Sequence, residues 1–487
     1  MPLPGQGATP RPAIWIDVED LFQYAEHNSR LSGIQRLAGE LYRALRDQPD
    51  GPAIGFLRID GSGRAFVPVG WDEVAAVLDG LSGGTGFRSA AVAAGRAPVP
   101  AVRRPGRVSR LARAAAKGVR SRLPPEAHGR VDRFKALQSG AIRSLGELRG
   151  ALGMRSATMP AAPAVPFPGV PAVGGALKQL ACPGDWLFSF GATWSNGRYG
   201  ELLRAAREEL GLRTAILFYD LIPLRRPEWC HHTLVEAFGD WIDGVLPELD
   251  LCLAISEATA ADVRRCLAER RLPARPVLAI PIGTGFEVTT GAAPAKAATE
   301  VPPGTRYALY VSTIEARKNH SLLFRAWRRL LDEMPREEVP TLVFAGRIGW
   351  LVSDLMQQIE NSDFLGGKLR IVADPSDEVL HGLYRDCLFT VFPSLFEGWG
   401  LPVSESLMLG KPCLASGTTS VPEAGGALAR YFDPDELEEL VRLLRTTLAD
   451  PNDLAAWTAR VQREFVPVPW SRTAQAVMAA IEAGAVA

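Results

Sequence analysis

The chain has 487 residues, 47% hydrophobic and 22% charged, with 54 basic residues balanced by 54 acidic ones. That length exceeds what one hydrophobic core ordinarily serves, so two domains are expected, and a net charge of zero argues against a polyanion binder that works through overall charge. Six cysteines without a Cys-x-x-Cys pair, an N-terminus without a basic stretch leading into an apolar one, and the lack of any run of 18 or more apolar residues argue against a disulfide scaffold, secretion and a membrane span, and point to the cytoplasm.

In chain order, "AIWIDV" (Ala13–Val18) reads as the first strand. In "RLSGIQRLAGELYRAL", Ile34, Leu37, Leu41 and Leu45 then recur at helical spacing, with Ser32 and Gly33 where the helix would begin. An insertion follows, at about 85–180. Its residues 88–155 hold sixteen Lys or Arg against Glu126, Asp132 and Glu147, a local charge of +13 that the rest of the chain offsets. Within it Leu111, Ala115, Val119 and Leu123 recur every four residues, with Arg110, Arg113, Lys117 and Arg120 mostly on the other side. That is the pattern of a basic amphipathic helix, and reversible docking on an anionic membrane surface through 103–135 is one expectation. A solvated insertion without a partner is the other. Aromatic residues are not interleaved with the charge, so no nucleic acid is expected. "MPAAPAVPFPGVPAVGG" (159–175) reads as a linker.

Strand and helix patterns then alternate: "WLFSF" before "YGELLRAAREEL", "TAILFYDLIPL", "LDLCLAIS" before "EATAADVRRCLAERR", and "PVLAIPIG". A second linker spans 289–305, after which come "YALYVST", "PTLVFAG", "KLRIVA", "LFTVFPS" and "KPCLAS". Such alternation predicts α/β domains with parallel sheets. The expected organisation is a first domain over 1–290, a second over 306–466, and a last helix in 467–487 crossing back to the first.

The stretch "FPSLFEGWGLPVSES" (Phe392–Ser406) places Glu397 and Glu405 eight positions apart around Gly398, Gly400 and Pro402. A buried strand precedes it, Pro402 suits a first helical turn and Gly410 suits the helix end. Glu397 is then expected in the strand-to-helix loop and Glu405 in the first turn. The two glycines let backbone approach a ligand, and the helix start offers N–H groups to an anion such as a diphosphate. Carboxylates there suit the hydroxyls of a sugar and a ribose. The plainer alternative is two acidic side chains favoured near a helix N-terminus by its dipole.

"FPSLFEGWGLPVSESLMLGKPCLASGTTSVPEAGG" resembles the signature of family 4 glycosyltransferases, and "YVSTIEARKNHSLLFRAWRRL" resembles their phosphate-binding segment. "LVFAGRIGW", "DEVLHGLYRDCLFTVFPS" and "PWSRTA" continue the likeness. In the first domain "SGIQRLAGEL", "YDLIPLRRPE" and "LAISEATAADV" match in patches. The resemblance implies a GT-B architecture, two Rossmann-like domains facing across a cleft, and transfer of a sugar from a nucleoside diphosphate sugar with retention of configuration and without a metal or other cofactor. It carries over Glu397 to the donor sugar hydroxyls, Glu405 to the ribose, Arg317 and Lys318 to the diphosphate, and the backbone of Gly398, Gly400 and Leu401 to the sugar and diphosphate, with Gly33 in the Gly-containing loop of the first domain. Ser312 stands where the family has Gly, and Tyr219 where His is common, so any acid or base role there passes to Asp220 or does not exist.

GDP-mannose is the first choice of donor, because "YDLIPL" and "AGRIGW" are similar to segments of members that use mannose. A glycan or glycolipid of bacterial surface polysaccharide assembly is the expected acceptor. A GT-B epimerase or a phosphorylase is the alternative enzyme, although no strand ends in a lysine suited to pyridoxal. A non-enzymatic carbohydrate-binding scaffold would tolerate loss of Glu397, Lys318 or Glu405, and all three are present. The adjacent His231 and His232, and "DPD" at Asp433–Asp435, are not read as metal ligands.

Overall fold

The computed structural model describes residues 12–49, 51–61, 63–82, 175–285 and 301–486. The basic insertion, with its 107–123 amphipathic pattern and the 103–135 membrane expectation, lies outside the described residues.

Among the described residues thirteen strands form two sheets. The first holds β1 (Ile14–Asp17), β2 (Ile54–Ile59), β3 (Phe66–Val69), β4 (Trp186–Ser189), β5 (Arg213–Phe218), β6 (Leu251–Ala254) and β7 (Val277–Ala279), in the order β3-β2-β1-β4-β5-β6-β7. All its pairings are parallel except β2 with β3. The second holds β8 (Tyr307–Val311), β9 (Thr341–Ala345), β10 (Leu369–Val372), β11 (Phe389–Phe392), β12 (Cys413–Ser416) and β13 (Arg430–Phe432), parallel throughout, in the order β10-β9-β8-β11-β12-β13. This is the doubly wound α/β arrangement, twice. Strands β4, β6, β9, β11 and β12 are buried along their whole length. Helices cover both faces of a parallel sheet, which is why these strands read as unbroken apolar runs.

Apolar clusters lie on both faces of each sheet. The helix Trp470–Val486 contributes Ala474, Val477, Ala480 and Ile481 to the core of the first sheet. Both sheets belong to one compact unit. Trp399, in the loop after β11, packs against a core of each.

Candidate active site

In a doubly wound sheet, ligands bind beyond the strand C-termini where the strand order reverses. In the second sheet that point lies between β8 and β11. The loop after β8 supplies Glu315, Arg317 and Lys318, and the loop after β11 supplies Glu397. Lys318 Nζ donates to Glu397 Oε1 at 2.5 Å, and Arg317 Nη1 lies 2.9 Å from Glu397 Oε2. Arg317 also donates to Glu315 Oε1 at 2.8 Å and to the Phe396 carbonyl at 2.5 Å. All four side chains are at most 16% exposed. Asn319, at φ 57°, turns the chain into the helix His320–Glu333, and its amide donates to the Pro434 carbonyl at 2.8 Å. Burial alone would raise the Glu397 carboxyl, but Arg317 and Lys318 outweigh it and hold it at about 2. Burial and the neighbouring Arg317 push the Lys318 ammonium down, against the pull of Glu397. Glu315 is raised by burial. The cluster is thus two cations and two carboxyl groups, held where little water screens them.

Gly400 caps the next helix at φ 129°, a backbone that a side chain would strain. That helix is Leu401–Met408, with Pro402 in its first turn and Gly410, at φ 70°, just past its end. Glu405 is its fifth residue and opens the second turn, not the first as expected. The helix starts at Leu401, one residue before the proline, and its first turn holds no acidic residue, so the dipole explanation does not apply to Glu405. Its Oε2 accepts from the Tyr384 hydroxyl at 2.8 Å. Burial raises the Glu405 carboxyl, against that hydrogen bond and the charge of Arg36. Arg36, from the first sheet's half, pairs with Asp377. Leu401 meets Gly33: a Cβ on Gly33 would stand 3.5 Å from Leu401 Cδ1.

Gly398 shows where the two halves come together. A Cβ there would lie 1.8 Å from the Tyr219 carbonyl oxygen and 3.2 Å from Asp220 Cβ. The bare backbone expected to face a ligand faces the loop after β5. Thr259 joins the same junction, its hydroxyl within 3.3 Å of the Tyr219 carbonyl and 3.4 Å of the Gly398 carbonyl. The Tyr219 hydroxyl is buried and donates to the Phe190 carbonyl at 2.5 Å, so it is occupied in the core. Asp220 accepts the Ile222 N–H at 3.0 Å. Burial raises its carboxyl, while Arg317 and then Lys318 act to lower it, so Asp220 lies within the electrostatic reach of the four-charge cluster. The structure therefore gathers Glu397, Arg317, Lys318, Asp220 and Gly398 at one junction. Gly400, Leu401, Glu405 and Gly33 gather at the helix beside it.

Two features went unread in the sequence. Glu423, in "VPEAGG", accepts from the backbone N–H of Glu257 at 2.7 Å and of Ala258 at 2.9 Å, so a carboxylate of the second half caps the helix Glu257–Glu269 of the first. Trp350, in "AGRIGW", donates its indole N–H to the Trp229 carbonyl at 2.8 Å. The signal for both was already in those motifs, as polar or aromatic residues in loops after strands. His231 caps the helix His232–Val245, and Asp433 accepts the Asp435 N–H in a turn. Among the described residues no three His, Cys, Asp or Glu stand together to hold a metal ion.

Two Rossmann-like domains, with a charged cluster at the switch point of the second, define a doubly wound α/β protein. Residues 293–464 match the family model for glycosyl transferases group 1. The chain is similar to the O-antigen chain mannosyltransferase B of Escherichia coli, 32% identical over 34% of this chain and 42% of that protein. It is also similar to the serotype-specific mannosyltransferase WbdA of Escherichia coli, 26% identical over 49% of this chain and 30% of that protein. The matched stretch spans less than half the length of either relative. The N-terminal domain of Candida albicans trehalose-6-phosphate phosphatase shares the fold, with a TM-score of 0.56 at 12% identity over 99% of both chains.

Proposed function

We propose that the chain is a retaining glycosyltransferase that moves a sugar from a nucleoside diphosphate sugar, GDP-mannose first, to a glycan or glycolipid acceptor of bacterial surface polysaccharide assembly, without a metal. The observation that carries this reading is the pairing of Arg317 and Lys318 with Glu397 at the strand-order switch. In the reaction the bond from the sugar's anomeric carbon to the β-phosphate oxygen breaks. The acceptor oxygen bonds to that carbon on the same face, and its proton leaves on the nucleoside diphosphate. Negative charge grows on the departing phosphate, and two fixed cations in a poorly screened site stabilise that charge more than they stabilise the ground state. Glu397 holds the cations in place until the donor arrives and then takes the donor sugar's hydroxyls. Glu405 takes the ribose hydroxyls, and the backbone at Gly400 and Leu401 borders the diphosphate. Mannosyltransferases among the similar proteins support mannose.

A thermal-shift panel of GDP-, UDP-, dTDP- and ADP-sugars tests the reading, followed by GDP release from GDP-mannose in EDTA. Stabilisation by GDP-mannose and turnover that survives EDTA are expected. A protein that no nucleotide sugar stabilises would overturn the transferase reading. Activity abolished by EDTA and restored by magnesium or manganese would overturn its metal-free form.

A further inference from the structure

Trp350 is 50% exposed, and its neighbours Ile348 and Leu351 are 40% and 61% exposed. Single exposed apolar side chains are ordinary, but here the backbone holds three together in water. The Ile314 N–H donates to the Arg347 carbonyl and the Gly349 N–H to the Ile314 carbonyl, both at 2.8 Å, strapping this loop to the one after β8. Leu351 sits at φ 58°, a strained backbone for a leucine. The bond from the Trp350 indole N–H to the Trp229 carbonyl fixes the ring. Among the described residues no aromatic ring or cation stacks on that ring. Trp229 lies in the short turn Pro227–Trp229 of the first half, with the Arg226 guanidinium 4.0 Å over one face.

This pair adjoins the charged cluster. A Cβ on Gly349 would stand 3.4 Å from that of Glu315, the partner of Arg317. Cys230, next to Trp229, lies in the fields of Asp220, Arg317 and Glu315. Among the described residues of this rim the cations are matched: Arg226 with Glu228 at 2.7 Å, Arg225 with Asp262 and Glu269 at 3.0 Å, and Arg347 with Asp374 at 3.9 Å. An anionic lipid surface or a polyanion calls for uncompensated cations. A neutral sugar does not: its C–H face is drawn to the negative face of an indole, and its hydroxyls can bond to the paired charges around it.

We propose that Trp350 and Trp229 form an acceptor subsite, an aromatic platform at the rim of the charged cluster on which a pyranose ring of a neutral glycan stacks. The assignment of this ligand as the acceptor rests on the transferase reading; the stacking itself does not.

The test compares the full chain with Trp350→Phe and Trp350→Ala. The probes are manno-oligosaccharides of two to four sugars, with gluco- and galacto-oligosaccharides beside them, followed by saturation-transfer NMR and calorimetry. GDP-mannose thermal shifts are measured in parallel, and circular dichroism checks folding. Wild type should bind at least one saccharide series. Trp350→Phe should stay within about threefold of it, and Trp350→Ala should weaken by about tenfold or more, as truncation of an aromatic anchor does. The donor shift should be the same in all three. Equal saccharide binding by Trp350→Ala, or no pyranose oligosaccharide bound by wild type at millimolar concentration, overturns the platform. So does a dimer or a liposome association that Trp350→Ala abolishes while saccharide affinity stays unchanged. Saccharide binding that depends on Trp350 without any donor shift would sink the transferase reading and leave the platform standing. A donor shift with saccharide binding indifferent to Trp350 would do the reverse.

Discussion

Glu397 is ionised where burial alone would neutralise it, because two cations lie 2.5 and 2.9 Å away. Glu397→Gln removes the charge and keeps the shape, leaving Arg317 and Lys318 buried side by side. Removing one partner of a buried ion pair costs about 3 to 5 kcal/mol, so a loss of stability of that order in urea titration at pH 7 is expected. The pH dependence gives a separate reading. A carboxyl whose pKa is depressed by folding stabilises the protein at every pH above its ordinary value of 4.5, and that stabilisation is lost as pH falls toward about 2. The gap between wild type and Glu397→Gln should therefore narrow from pH 4.5 downward. A gap that stays constant across that window would show that Glu397 is not held ionised by its neighbours. The sequence presented these residues as a donor clamp and could not say that they pair with one another. A motif records what side chains are able to bind, whereas the partner taken depends on how two loops from β8 and β11 converge.

At the scale of elements, β1 and β4 to β12 were legible as short, mainly apolar runs, which burial on both sheet faces produces in the inner strands, while the edge strands β7 and β10 keep exposed Leu278 and Arg370. Three strands were not. β3 is an antiparallel edge strand that includes Pro68, β13 has three residues, and β2, which pairs with β3, has only two fully buried positions. Their patterns are too weak to stand out. The helix Leu401–Met408 was legible from its proline and closing glycine, but it starts one residue earlier than the proline suggests, which moves Glu405 from the fourth helical position to the fifth. Gly398 was read as room for a ligand, yet the loop after β5 lies against it. Gly398→Ala would drive a methyl group into the Tyr219 carbonyl, a backbone atom that no rotamer change can move aside. Overpacking of this kind costs about 1 to 3 kcal/mol. Each sheet should still form, with native circular dichroism and a melting temperature lowered by several degrees, because the clash sits at the junction and in neither core. Wild-type stability in Gly398→Ala would show that the two loops are not in contact in solution.

The two halves meet through contacts of unequal strength, and their magnitudes decide which governs opening. Arg36 and Asp377 are 23% and 43% exposed, and ion pairs of that kind contribute at most about 1 kcal/mol. Glu423 differs, since its carboxylate takes two backbone N–H groups at the start of the helix Glu257–Glu269, where the donors have no helical partner and the dipole favours a negative charge. Glu423 is exposed too, but its two bonds cap a helix N-terminus and contribute about 1 to 2 kcal/mol, so Glu423→Ala should favour separation of the halves by about five- to thirtyfold, and Arg36→Ala by about fivefold at most. Hydrogen exchange reads this directly, because the Glu257 and Ala258 amides are the donors. Both should lose protection in Glu423→Ala, and so should the Trp350 indole N–H, which donates to the Trp229 carbonyl at another point between the same halves. Two changes that bias one opening equilibrium from separate contacts should add in free energy, so the double variant should open by the product of the two factors. If exchange rises at Glu257 and Ala258 but not at the Trp350 indole, Glu423 is a local helix cap and the halves are held together by something else.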